Sequence, residues 1–215
     1  MDEYWNDFEE YRTETDNEID GYITDILDEL DRAFEELEDK YHPANIGSSS
    51  AKKIYSLVRE IKPNTMVETG VCNGVSSSVI LKAMEENGKG RLYSIDLPVA
   101  AGTVDDRTGP VIPPEKSAGW LVPENFKDRW ELRLGNTYYE LPKVLQETKA
   151  IDMFIHDSGH SYETMMFEFC IVWYHLNEGG LILADNIDWN SAFKDFASAK
   201  ELQLYKVHKL GMLKK

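Results

Sequence analysis

The chain has 215 residues, 29% of them charged, and a formal net charge of −16. That length predicts one domain with a sizeable core, and that charge argues against a nucleic-acid partner, because phosphate contacts need a basic face. No apolar run approaches the ~20 residues that span a bilayer, and the acidic first residues are unlike a secretory signal. The expectation is a cytoplasmic protein without a membrane partner, with Cys72 and Cys170 as free thiols.

The charge is unevenly placed. Residues 1–40 hold 17 acids and 3 bases, while the rest of the chain holds 22 acids and 20 bases. We therefore divide the chain into an acidic helical arm, 1–45, and a nearly neutral domain, 46–215. In the arm, Ile19, Tyr22, Ile23, Ile26, Leu27, Leu30, Phe34 and Leu37 form an apolar stripe at helical spacing. The stripe predicts packing on the body, or else a homodimer contact or a cap over the substrate. Tyr41-His42-Pro43 ends the helix, and Gly47 to Ser50 reads as a flexible connector able to cap the next helix. That helix is expected over 51–61, ended by Pro63-Asn64.

Then comes the stretch that organises the chain, 65–78. An apolar run, Met66-Val67, reaches Glu68. A loop with glycines four apart, Gly70 and Gly74, comes next, and a helix opens on Ser76-Ser77-Ser78. A buried parallel strand turns this way into a helix whose N-terminus faces a ligand. The helix stops at Asn87-Gly88, and a second strand, Arg91–Asp96, ends in another acid, placed for a ribose diol. The glycine offsets do not match a dinucleotide fingerprint, since Cys72 and Val75 stand where it needs glycines.

Residues 97–127 break the pattern with five of the eight prolines. Such an insertion leaves the carboxyl edge of the sheet and reads either as a loop partly covering the site, with Trp120 as an apolar wall, or as a surface loop without a role. Regular structure returns with a strand at Trp130–Leu134 before Gly135-Asn136-Thr137, a helix over 138–148 and a strand over 151–157. Beyond it lie a long apolar helix and a strand over 181–185, buried on both faces. A helix over 191–199 precedes a closing antiparallel pair. Strands alternating with helices predict an α/β fold: a doubly wound, mostly parallel seven-stranded sheet, Rossmann-like, with the acidic arm attached. Four of the five parallel strands end on acids (Glu68, Asp96, Asp157, Asp185), which such a fold gathers along one crevice.

The pattern Glu-x-Gly-x-x-x-Gly-x-Ser, with Asp157-Ser158-Gly159-His160 and Leu183-Ala184-Asp185-Asn186 downstream, resembles the class I S-adenosylmethionine-dependent methyltransferases. Within them it is most similar to the catechol-type O-methyltransferases and related small-molecule families. The resemblance spans roughly 51–196. It implies that Gly70, Asn73, Gly74 and Ser76 hold the methionine end of S-adenosylmethionine. Asp96 would then bind the ribose, Asn136 and Thr137 lie near the adenine, and Glu68 supports the loop or the methionine ammonium. It also implies a divalent cation such as Mg²⁺ on Asp157, Asp185 and Asn186. His160 stands where the catechol-type enzymes carry a lysine, and serves as a base near neutral pH.

The resulting expectation is an enzyme that methylates an oxygen of a small, neutral or cationic acceptor. A metal-independent enzyme using His160 alone stays open beside it. So does a non-catalytic cofactor-binding module whose acidic arm recruits a basic partner. His156, inside a strand, reads as a satisfied core histidine, and His42, His175 and His208 show no partner at informative spacing.

Overall fold

The computed structural model describes residues 5–7, 17–35, 45–97, 112–207 and 209–215. Eight strands form one sheet: β1 (Trp5–Asp7), β2 (Thr65–Thr69), β3 (Arg91–Asp96), β4 (Trp130–Leu134), β5 (Ile151–His156), β6 (Leu176–Ala184), β7 (Leu204–Val207) and β8 (Leu210–Lys214). Their spatial order is β1-β7-β8-β6-β5-β2-β3-β4. The contiguous set β6-β5-β2-β3-β4 is parallel throughout, and β8 runs antiparallel to both β6 and β7. Seven strands are those expected. The eighth lies in the arm ahead of its helix, where no strand was expected: Trp5–Asp7 pairs in parallel with β7 at the sheet edge.

The helices are α1 (Asn17–Glu35), α2 (Ser48–Ile61), α3 (Val75–Glu86), α4 (Thr137–Thr148), α5 (Tyr162–His175) and α6 (Ala192–Ala199). Ser48 to Ser50 are the first turn of α2 and not the flexible connector expected. Helices α1, α2 and α3 cover one face of the sheet, and α4, α5 and α6 the other. Successive strand side chains point to opposite faces. Thus Met153 and Ile155 join the first cluster and Phe154 the second. In β6, Leu181 and Leu183 likewise oppose Ile182 and Ala184.

The arm is held by its stripe. Ile19, Ile23, Ile26 and Leu30 are buried in the same cluster as α2 and α3, each such side chain contributing about 1.5–3 kcal/mol. That face is used within the chain, so a second copy would have to bind elsewhere; Leu37 lies outside the described residues. Among the described residues no helix is long and apolar enough to cross a membrane.

The chain enters the parallel sheet at β2, in its middle, moves out through β3 and β4, then returns to β5 on the other side of β2. Connections leave β2 and β5 in opposite directions, which opens a crevice at their carboxyl ends.

Candidate active site

Three glycine-loop residues turn inward. Glu68 is fully buried and accepts hydrogen bonds from the hydroxyls of Ser76 (2.5 Å), Ser77 (2.6 Å) and Ser94 (2.7 Å). Burial raises its carboxyl, and the three hydroxyls pull against that shift. The hydroxyl of Ser76 is therefore committed to Glu68. Asn73, 1% exposed, accepts from the indole of Trp120. Gly74 has φ +95°, and a Cβ there would lie 2.8 Å from the Cα of Gly119. Part of the expected lid is thus a strap packed on the loop: Gly119 N donates to Cys72 O (2.8 Å) and Leu121 N to Asn73 O (3.0 Å). Residues 98–111 of the insertion lie outside the described residues. Of the loop, Gly70 and Cys72 remain partly exposed.

Gly70 has to be glycine. Its φ is +84°, and a Cβ there would stand 2.0 Å from the carbonyl oxygen of Asp157. This close approach lets the loop after β2 and the loop after β5 share one crevice. Asp96, at the end of β3 and 8% exposed, accepts from the amides of Val71 (2.9 Å) and Cys72 (3.2 Å) with one oxygen. The other oxygen has no bond to the described residues. Burial raises the carboxyl of Asp96, and the two amides oppose the shift. Across the crevice, Asn136 caps α4 by accepting from Tyr138 N at 2.9 Å. The Thr137 hydroxyl is buried without a partner.

Past β5, Asp157, His160, Asp185 and Asn186 come together. His160 Nε2 lies 3.7 Å from Asp157 Oδ1 and 3.5 Å from the Asn186 side-chain nitrogen. That nitrogen also donates to Asp185 Oδ2 at 2.8 Å. The His160 ring is held edge-on between His156 (5.2 Å) and Trp189 (4.8 Å), and its backbone carbonyl accepts from Asn190 at 2.9 Å. Burial lowers its pKa to about 4, with His156 adding repulsion. The carboxyl of Asp157 is pushed well above the usual range by burial, then by Asp185 and Glu68. Burial also raises Asp185, against which the nearby Lys209 charge works. Nδ1 of His160 is buried and has no partner.

Under this group lies a network that sequence reasoning missed. Glu168, in the middle of α5 and fully buried, accepts from Thr69 Oγ1 (2.6 Å) and Ser158 Oγ (2.8 Å) and lies 2.7 Å from His156 Nδ1. A lone acid among Met165, Met166, Phe167 and Phe169 was the available signal, since a charge is buried only when paired. His156 is half satisfied, because its Nε2 has no partner. His175 Nδ1 faces the carbonyl of Lys149. Beside Asp185 and Asn186 opens a cleft of about 460 Å³ that also takes in Trp189, Lys209 and the first turn of α2.

Two acids and an amide oxygen are hard donors of the kind a divalent cation takes. Among the described residues, however, no three His, Cys, Asp or Glu side chains converge on one point. The donors fit a cation only as a sparse set, with most of its coordination left to other oxygens.

A family model described as methyltransferase domain matches residues 67–187. No curated protein matches the chain. Solved structures of similar shape include the O-methyltransferase TomG from Streptomyces achromogenes, involved in tomaymycin synthesis, in complex with SAM. It is 16% identical, with a TM-score of 0.61, over 94% of this chain and 99% of that one. An O-methyltransferase from Bacillus cereus in complex with SAH is 14% identical (TM-score 0.58, 90% of each chain). An SAH-bound methyltransferase from Podospora anserina is 13% identical (TM-score 0.59, 92% and 94%). The likeness covers both layers around the sheet, and the matched family segment runs from the glycine loop through Asp185-Asn186: the chain belongs to the methyltransferase domain family and has the fold of its class I members.

Proposed function

We propose that the protein transfers a methyl group from S-adenosylmethionine to a hydroxyl oxygen of a small-molecule acceptor, with His160 taking the proton. The observation that carries this reading is the meeting, at the β2/β5 switch point, of the Gly70–Asp157 approach with the pair His160 and Asp157. The residues fit the donor. Asp96 keeps one carboxylate oxygen for a ribose diol, and Thr137 offers a buried, unpartnered hydroxyl. Contacts from Asn73, Gly74 and Ser76 would be through backbone, because two of those side chains are bonded inside the protein and the third residue has none.

When bound, S-adenosylmethionine supplies an electrophilic methyl on a sulfonium. His160, neutral because burial holds its pKa near 4, keeps a lone pair for the acceptor. A base this weak suffices, since a hydroxyl oxygen gaining a methyl becomes strongly acidic as the new bond forms. Asp157 and the rings of His156 and Trp189 fix the imidazole in place, which is where positioning contributes to rate.

A second reading adds a divalent cation on Asp157, Asp185 and Asn186, favoured by the mutual repulsion of the two carboxyls. Methyl transfer from labelled donor to a panel of hydroxyl compounds, with and without excess EDTA, tests both. We expect turnover that survives EDTA and falls at least 100-fold in His160→Ala, in line with the loss of a general base. Turnover abolished by EDTA and restored by Mg²⁺ selects the cation reading. Failure of the protein to bind S-adenosylhomocysteine removes both.

A further inference from the structure

The outer face of α5 has the composition of an interior. The side resting on the sheet carries Met165, Glu168, Phe169 and Val172, all buried. At 3.6 residues per turn the opposite side carries Glu163, Phe167, Cys170 and Tyr174. A helix laid on a sheet keeps polar residues at such positions, yet only Glu163 is charged, and a free cysteine behaves as a small hydrophobe. Cys170 is exposed, Tyr174 is 80% exposed and Phe167 is half-buried. From α4, Tyr138 stacks on Phe167 with 4.5 Å between ring centroids and is itself 40% exposed, and Tyr139 beside it is 72% exposed. An aromatic side chain covers about 150–250 Å², so Tyr138, Tyr139 and Tyr174 together leave roughly 400 Å² to water. Patches of that size on a monomer mark contact surfaces.

We propose that this face binds a second copy of the chain, with the two α5 helices antiparallel about a two-fold axis between Phe167 and Cys170. Three features select a second copy as the occupant. The first is charge. Glu163 stands at one end of the stripe, and at the other Lys200 lies over the Tyr174 ring, its Nζ 5.5 Å from the centroid. Antiparallel pairing sets Glu163 of each copy against Tyr174 and Lys200 of the other, and Phe167 against Cys170, which is the self-complementarity a two-fold interface requires. The second is size. A stable interface takes about 800 Å² per partner, of which the three tyrosines supply about half. The half-buried Met166 and Ile171 and the charged rim surround them. The third is the acidic arm. Its helix α1 packs on the opposite face of the sheet, so this pairing keeps the two arms, with 17 acids to 3 bases in residues 1–40 of each, far apart. The pairing stands apart from the methyl-transfer reading and holds whatever the acceptor is.

The test is sedimentation velocity of the full chain across a dilution series, with the far-ultraviolet dichroism of each variant as a check on folding. We expect a dimer. Tyr174→Glu replaces an exposed ring with a carboxylate facing Glu163 of the other copy, and should weaken the dimer at least tenfold. Glu163→Lys and Lys200→Glu should each weaken it by like-charge contact across the axis, and the double variant Glu163→Lys/Lys200→Glu should recover most of the loss, which only a contact between copies explains. A short bis-maleimide should link wild-type chains in pairs and leave Cys170→Ser unlinked. A chain that stays monomeric at the highest concentration overturns the proposal, and so does a dimer indifferent to Tyr174→Glu and to the charge exchange. A monomer that floats with phosphatidylcholine vesicles also overturns it, and gives the face to a lipid surface.

Discussion

Trp120 Nε1 donates a 2.8 Å hydrogen bond to Asn73 Oδ1, joining the proline-rich insertion to the glycine loop. The backbone of Gly119 and Leu121 and the hydroxyl of Ser78, which donates to Leu121 O at 3.0 Å, complete the same seam. The loop that must meet a cofactor is thus held from outside by a segment remote in sequence. Trp120→Phe keeps a ring and removes the donor. Losing one such bond costs about 1 kcal/mol of folding stability, so the unfolding midpoint should fall by about 2–4 °C, and the affinity for S-adenosylhomocysteine should fall by up to about fivefold in calorimetry as the loop loosens. Unchanged affinity would mean that the strap packs on the loop without ordering it.

Glu168 collects three partners in a dry site: His156, Thr69 and Ser158. In Glu168→Gln an amide nitrogen must face at least one of those donors, so we expect a loss of about 2–4 kcal/mol in urea unfolding at pH 7.5. Burial alone would raise this carboxyl, but the His156 charge and the hydrogen bonds outweigh it and leave it lowered. A carboxyl depressed in the folded state contributes stability present above its unfolded pKa and lost as pH falls. The gap between wild type and Glu168→Gln should therefore narrow on acidification below about pH 4.5. A constant gap would count against an ionised Glu168.

The parallel core was legible because its central strands carry short apolar runs that reach a polar residue, with both strand faces buried, as at Phe154 and Ile155 in β5. The gathering of Asp157, His160, Asp185 and Asn186 came from the same rule about strand ends. What stayed hidden depends on pairings across long separations. The hydroxyls of Ser76 and Ser77 look free for a ligand until β2 and β3 bring Glu68 and Ser94 beside them. Trp5–Asp7 has too few residues to show a period, and its strand exists only because β7 leaves an edge to pair with. Ser48 to Ser50 have weak helix propensity, and α2 extends through them because Ser50 and Ala51 pack into the body.

His160 carries the most direct pH signature. Its pKa falls from the ordinary 6.5 to about 4, first through burial and then through His156. Between those values the unfolded chain takes up a proton that the folded protein refuses. The stability that neutral His160 contributes is present above pH 6.5 and is lost as pH falls toward 4. A shift of that size corresponds to about 3 kcal/mol at most. His160→Gln stays neutral throughout, so unfolding free energies of wild type and variant, measured from pH 7.5 to 4.5, should converge or cross as the solution is acidified. The raised carboxyls of Asp157, Asp185 and Glu68 act in the opposite sense, losing stability as pH rises. Both proteins retain those three acids, so the difference between the two curves isolates the histidine. Parallel curves over the whole range would show that His160 titrates normally and that burial does not lower its pKa.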